Sequence, residues 1–216
     1  MAEQTPGEKP DDEAKFERLI PQLAMVRRDL ANLPPVEVPE PYTLRTFREG
    51  DEPAWEEIIA ESFDKPPGEY RFDGLVRNKG LFLPERVFFI VSSVGKPVAT
   101  ATALLKASDD PIPAALHMVG VLHKHQGKKL GYWASLAAMH QHARDGVEEI
   151  TLLSDDFRLA AVKTYLRLGF EPCLVHENQR ERWPKVFAAL GDKGEWLAQF
   201  SHILKGPVHN TDASSR

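Results

Sequence analysis

The segment Met118-Val119-Gly120-Val121-Leu122-His123-Lys124-His125-Gln126-Gly127-Lys128-Lys129-Leu130-Gly131 decides how the rest of the chain is read. It opens on β-branched residues suited to a strand, crosses a polar stretch with glycines and cations, and enters a helical pattern over Tyr132–Ala143. A strand feeding a glycine-bearing loop at a helix N-terminus is an anion-binding arrangement. First-turn N–H groups lack intrahelical partners, the helix dipole adds partial positive charge, and glycine lets a phosphate approach the backbone. Lys124, Lys128 and Lys129 add full charges, so a phosphate-bearing ligand is expected. The spacing fits neither Gly-x-x-x-x-Gly-Lys-Ser/Thr nor Gly-x-Gly-x-x-Gly, which disfavours a nucleoside triphosphatase and a dinucleotide dehydrogenase.

The segment resembles motif A of the GNAT (GCN5-related) N-acetyltransferase superfamily: Val-x-Val, four residues, then Gln/Arg-x-x-Gly-x-Gly/Ala. Val119 and Val121 stand for the valines, Gln126 for the opening polar residue and Gly131 for the last small one. Lys129 occupies the place of the middle glycine. A lysine reaches positive φ at a cost that glycine avoids, so two outcomes stay open: a loop of different shape, or diphosphate binding that uses the lysine ammonium.

Further along, Leu153–Phe170 is similar to motif B of the same family, with Ala161, Tyr165, Gly169 and Phe170 matching and Arg158 replacing the usual asparagine. Two modest motifs in the family's order and at its separation reinforce each other. The resemblance covers roughly 42–190. It implies a mixed α/β fold: a central, mostly antiparallel sheet with helices on both faces, two of whose strands splay to admit the pantetheine arm of acetyl-CoA.

Composition sets the outer bounds. At 216 residues the chain is long enough for one sizeable core. A net charge of −5 provides no global basic field for nucleic acid, and no apolar run is long enough for a membrane span. Cys173 is the single cysteine, which excludes an internal disulfide and suits a reducing, cytoplasmic setting. No His/Cys/Asp cluster has metal-ligand spacing, so no metal is expected, and no serine sits in a nucleophile elbow.

Read in order, the chain divides into an N-terminal segment (1–41), the acetyltransferase-like body (42–190) and a C-terminal extension (191–216). Residues 1–13 read as a disordered tail. Over 14–33, Phe16, Leu19, Leu23, Val26 and Leu30 recur at helical steps, although a short strand around Leu23–Val26 also fits. Pro34, Pro35, Pro39 and Pro41 form a stiff linker. A strand over 42–47 precedes a helix capped by Asp51, with Trp55, Ile58, Ile59 and Phe63 on its apolar stripe. A short helix is expected near 70–76, then strands over 86–92, 96–105 and 114–121 and a helix over 128–143. A strand at 150–153, a helix at 158–168 ended by Gly169, and a strand at 170–176 follow. Helices near 183–190 and 196–204 and a disordered tail beyond Gly206 complete the pattern.

The resemblance also implies roles. Backbone groups of Met118, Val119, Gly120 and Val121 would meet the pantetheine and the oxyanion. The N–H groups of Gln126, Gly127, Lys128, Lys129, Leu130, Gly131 and Tyr132 would hold the diphosphate. Arg158 would take the asparagine's place beside the pantetheine or pair with Asp155. Tyr165 matches the family tyrosine that protonates the departing thiolate, against the alternative of a helix tyrosine packed on the sheet.

Period-two alternation sets His117 on the face of Val119 and Val121. Its strand is similar to that of arylalkylamine N-acetyltransferases, which carry a catalytic histidine there, so His117 is a base candidate; a half-buried structural histidine is the competing reading. Asp155 and Asp156 read as helix caps. Asp64, Glu69 and Asp73 favour a cationic small-molecule or peptide amine as acceptor. The expected activity is acetyl transfer from acetyl-CoA to a primary amine by direct attack. A non-catalytic acyl-CoA-binding module is the alternative, and a homodimer accords with the family's habit.

Overall fold

The computed structural model describes residues 21–110 and 112–209; the N-terminal tail expected over 1–13 lies outside them. A single seven-stranded sheet organises the chain in the spatial order β2-β3-β4-β5-β6-β1-β7. The strands are β1 (Leu23–Arg27), β2 (Thr43–Thr46), β3 (Val87–Val91), β4 (Pro97–Leu105), β5 (Ala114–Val121), β6 (Ile150–Ser154) and β7 (Glu171–Cys173). From β2 to β5 the sheet is an antiparallel meander. β6 then runs parallel to β5, and β1 lies antiparallel between β6 and β7.

Helix α1 (Glu52–Ser62) packs on one face of β5, and α2 (Leu130–Arg144) covers the other face together with α3 (Leu159–Arg167). Covered on both faces, β3 is buried along its whole length, and its Val-Phe-Phe-Ile-Val run is apolar without alternation. α4 (Gln179–Ala189), α5 (Glu195–Gln199) and α6 (Ser201–Lys205) close the β7 end. No described helix is long and apolar enough to cross a membrane.

The expected helix over 14–33 is, within the described residues, the strand β1. Leu23, Ala24, Met25 and Val26 are all buried because β1 has a partner on each edge and cover on each face. A short continuous apolar run carries no periodicity that separates strand from helix, and here tertiary pairing chooses the strand. The N-terminal segment thus supplies an interior strand of the sheet.

Smaller differences have local causes. Asp51 sits at the start of α1, but its carboxylate binds the Arg45 guanidinium at 2.6 and 2.9 Å and the Arg48 N–H rather than capping the helix. The helix expected near 70–76 shrinks to one π-type turn, Asp73–Arg77. α4 begins at Gln179, ahead of Trp183, which leaves Pro184 inside it. The last helix breaks at Phe200, whose ring is buried against Phe187. Of the tail expected beyond Gly206, residues 207–209 stay tied to the body, since the His209 N–H donates to Leu174 O at 2.7 Å, and 210–216 lie outside the described residues.

Gly169 ends α3 with φ of +78°, as its position predicts, and a Cβ there would also collide with Arg27 Nη1. That guanidinium donates to Leu168 O, tying the turn after α3 back to β1.

Candidate functional site

β5 and β6 pair at a single position, Ala115 with Thr151, and then part. Parallel strands that separate leave main-chain N–H and C=O groups facing a gap, and a ligand rich in amides satisfies them. His142, buried on α2, lies beneath the point of separation, with its Nε2 3.1 Å from Ala115 O.

Within β5 the register slips. Gly120 faces Thr100 and His117 faces Thr102, so Met118 and Val119 together oppose the single Ala101. Met118 adopts φ of +47°. This is a β-bulge, and one extra residue inverts which face later side chains occupy.

The bulge corrects the expected placement of His117. Thr100 and Thr102 share a face of β4, so their partners Gly120 and His117 share that face too. It is the α1 face: a Cβ on Gly120 would lie 2.8 Å from Ile59 Cδ1 and 3.1 Å from Ser62 Oγ. Val119 and Val121 point the other way, against Gly131 of α2. His117 is therefore across the sheet from the two valines. Its Nε2 is 3.0 Å from Leu75 O, so Nε2 carries the hydrogen and Nδ1 the lone pair. Burial, helped by Lys79, pulls its pKa down to about 4, and the imidazole is neutral at physiological pH.

The loop after β5 keeps the shape that a glycine would give it. Gly127 has φ of +77° and Lys129 φ of +59°. Of the two outcomes open for Lys129, the altered loop is not what occurs; the lysine takes the left-handed conformation, at a cost of about 1 kcal/mol. Among the described residues, the N–H groups of Gly127, Lys128, Lys129, Leu130, Gly131 and Tyr132 have no hydrogen-bond acceptor. The Gln126 N–H does not belong with them, because it donates to His123 O.

Val121 is likewise occupied. Its N–H donates to Ser62 Oγ at 2.6 Å and its carbonyl accepts from that hydroxyl at 3.0 Å. The main chain left for a ligand in β5 centres on the bulge. Lys128 Nζ donates to Lys124 O, and no described carboxylate forms an ion pair with Lys124, Lys128 or Lys129. The cradle is exposed, amide-rich and cationic.

Helix α3 follows β6 and packs against α2. Tyr165 of α3 is buried with its ring edge-on to Phe170, and its hydroxyl has no partner among the described residues. Burial pushes this phenol up to about 12, with the Arg158 cation opposing the shift. Arg158 does not pair with Asp155, whose Oδ1 accepts from the Gln22 side chain. Its guanidinium lies 3.6 Å from the centre of the Phe63 ring, and Phe63 in turn meets Tyr70. Phe63 follows α1, so the Arg158 cation is drawn to the α1 side.

Asp156 is no cap either; it binds Arg182 of α4 through both carboxylate oxygens. Of the expected amine-attracting carboxylates, Asp73 is held by Arg77, Asp64 lies 3.4 Å from His123, and Glu69 is exposed. Ser62, Phe63 and Tyr70 carry no local sequence signal of a site. Phe63 read as part of an apolar stripe, and nothing local announces that Ser62 reaches Val121.

The comparisons with known proteins bear on the family and the fold. Residues 45–170 match the model of the Acetyltransferase (GNAT) family. Mycothiol acetyltransferase from Thermobispora bispora is 33% identical over 160 residues, covering 68% of this chain and 53% of that protein. The Kytococcus sedentarius mycothiol acetyltransferase is 32% identical over 155 residues, covering 69% and 52%. The chain thus spans about half the length of the curated relatives it matches. Among solved structures, a GCN5-related N-acetyltransferase from Sphaerobacter thermophilus aligns with a TM-score of 0.53 at 25% identity, over 74% of this chain and 52% of that one. Another, from Kribbella flavida, shares the fold with a TM-score of 0.51 at 22% identity, over 75% and 60%.

Proposed function

This chain belongs to the GNAT acetyltransferase family, and on that premise we propose that it moves an acetyl group from acetyl-CoA to a primary amine by direct attack. The observation that carries the proposal is the run of six unpartnered N–H groups at the start of α2, set beside the gap between β5 and β6. The diphosphate rests on Gly127–Tyr132, with Lys128 and Lys129 adding charge. The pantetheine arm follows the parted edge of β5 past Val119, and the thioester reaches the bulge at Met118 and Val119.

The amine nitrogen attacks the thioester carbon, the carbonyl electrons move to oxygen, and collapse of that intermediate breaks the C–S bond. A main-chain N–H at the bulge stabilises the oxyanion. Tyr165, protonated at every working pH, donates a hydrogen bond to the departing sulfur. An ordinary thiol has a pKa of about 8.5, so proton transfer from this phenol is uphill alone and goes with the loss of the amine's proton. His117 Nδ1 accepts a hydrogen bond from the amine. At a pKa of about 4 it orients the nucleophile and passes its proton to water rather than storing it.

The relatives' name, mycothiol acetyltransferase, favours a small-molecule acceptor over a peptide for this chain. Function in the cytoplasm, alone or as a homodimer, completes the reading. The test is thiol release from acetyl-CoA across a panel of small amines and peptides. Amine-dependent release is expected. CoA binding without release for any amine supports the non-catalytic module, and no CoA binding contradicts both.

A further inference from the structure

The guanidinium of Arg158 has the geometry of a binding group. Its centre stacks 3.6 Å from the middle of the Phe63 ring. It is half-buried, and none of its N–H donors meets an acceptor among the described residues. Asp155, three residues before it, accepts instead from the Gln22 side chain, and no described carboxylate forms an ion pair with Arg158. Arg77 and Arg182, by contrast, are satisfied by carboxylates: Arg77 by Glu52 and Asp73, Arg182 by Asp156. A planar cation that has shed part of its water, is fixed by a ring and keeps its donor fork open is suited to a bidentate oxyanion.

Its position selects the ligand. The cofactor cradle opens on the α2 side with Val119, Val121 and Gly131, whereas Phe63, Tyr70, His117 and Leu75 gather on the α1 side. Arg158 begins α3 at the end of β6, across the gap from β5, and its side chain turns toward α1. It therefore faces the amine rather than the diphosphate.

We infer that Arg158, stacked on Phe63 beside Tyr70, forms an acceptor subsite for an oxyanion, so that the preferred amine carries a carboxylate or a phosphate monoester. This rests on the acetyltransferase reading for its chemistry and on the side-chain geometry for its location. It replaces the sequence expectation that Arg158 serves the cofactor.

The experiment compares matched acceptors: glycine, β-alanine and γ-aminobutyrate against their amides, and O-phosphoethanolamine against ethanolamine. In the wild type, kcat/KM for at least one anionic member is expected to exceed its neutral partner by roughly 10- to 100-fold, the worth of a charge-assisted hydrogen bond. Arg158→Gln removes that preference through KM and leaves the CoA dissociation constant unchanged. Arg158→Lys keeps part of the preference, which a merely structural role would not predict. The carboxylate and phosphate arms show which oxyanion fits.

Should no amine be turned over, calorimetric titration of the N-acetylated acids and amides onto CoA-loaded protein reads the subsite directly. If CoA itself does not bind, the acetyltransferase reading fails, and the same titrations onto free protein still test the anion site. Equal affinity for acid and amide, or a loss of CoA binding in Arg158→Gln, overturns the inference.

Discussion

The two faces of β5 are built from different materials. On the α2 side lie small and β-branched residues, Val119, Val121 and Gly131, leading to exposed main-chain amides and lysines. On the α1 side lie a neutral, half-buried histidine, an aromatic pair and a guanidinium with no hydrogen-bond partner among the described residues. The first face addresses a ligand through backbone, and side-chain identity matters there mainly in leaving room. On the proposed reading, the second would address a ligand through side chains and set which amine enters. The bulge at Met118–Val119 joins them, because it turns His117 away from the valines without interrupting the strand.

If that division holds, Tyr165→Phe, which removes the proposed proton donor, has the largest effect on turnover. kcat is expected to fall by roughly 100-fold or more, while CoA affinity, set by the amide face, stays within about twofold. A parallel fall in CoA affinity would merge the two faces into one.

Next comes acid sensitivity from the side-chain face. The folded pKa of His117 lies about 4, below the ordinary 6.5. The unfolded chain therefore takes up this proton first as pH falls. Its stabilising contribution is complete above about 6.5 and is lost toward 4, at most about 3 kcal/mol. Urea melts of wild type and His117→Gln across that range should converge as pH falls. Buried His142, shifted the same way, is common to both proteins and cancels. Curves that stay parallel would place His117 in water.

Glycine substitutions compare the faces sterically. Gly120→Ala sets a Cβ 2.8 Å from Ile59 Cδ1 and 3.0 Å from Ile58 Cγ2, with an expected loss of about 1–3 kcal/mol. Gly131→Ala meets Val121 Cγ2 at 3.3 Å and should cost less. The reverse order in thermal melts would mean that the bulge is misplaced.

The smallest effect belongs to Lys129→Gly. Relief of the left-handed conformation and the greater freedom of glycine in the unfolded chain offset one another, leaving stability within about 1 kcal/mol. CoA binding should weaken a few-fold at low salt, with the difference vanishing at high salt. A tenfold loss that survives high salt would show that the ammonium makes a buried contact.

Legibility in the sequence divides along the same line. The strand–loop–helix segment is legible because its signal is local: a strand, glycines, clustered lysines and a helix in one continuous segment. The sheet meander and the helix over 128–143 followed from periodicity in the same way. The side-chain face is not legible, since Arg158 meets Phe63 and Tyr70, and His117 meets Leu75, only through the fold. The alternation that set His117 beside Val119 was sound for a regular strand; a bulge signalled by a single positive φ at Met118 leaves no mark in residue type. β1 was ambiguous for a related reason. A buried apolar run takes its form from its neighbours, and those neighbours, β6 and β7, lie more than a hundred residues away.

The amide signals of a 15N-labelled sample, titrated with CoA and with pantetheine, test the central claim most directly. CoA should shift the resonances of Gly127–Tyr132 most, and pantetheine, which lacks the diphosphate, should leave them largely in place while moving Met118 and Val119. Shifts from CoA that bypass 127–132 would contradict the account.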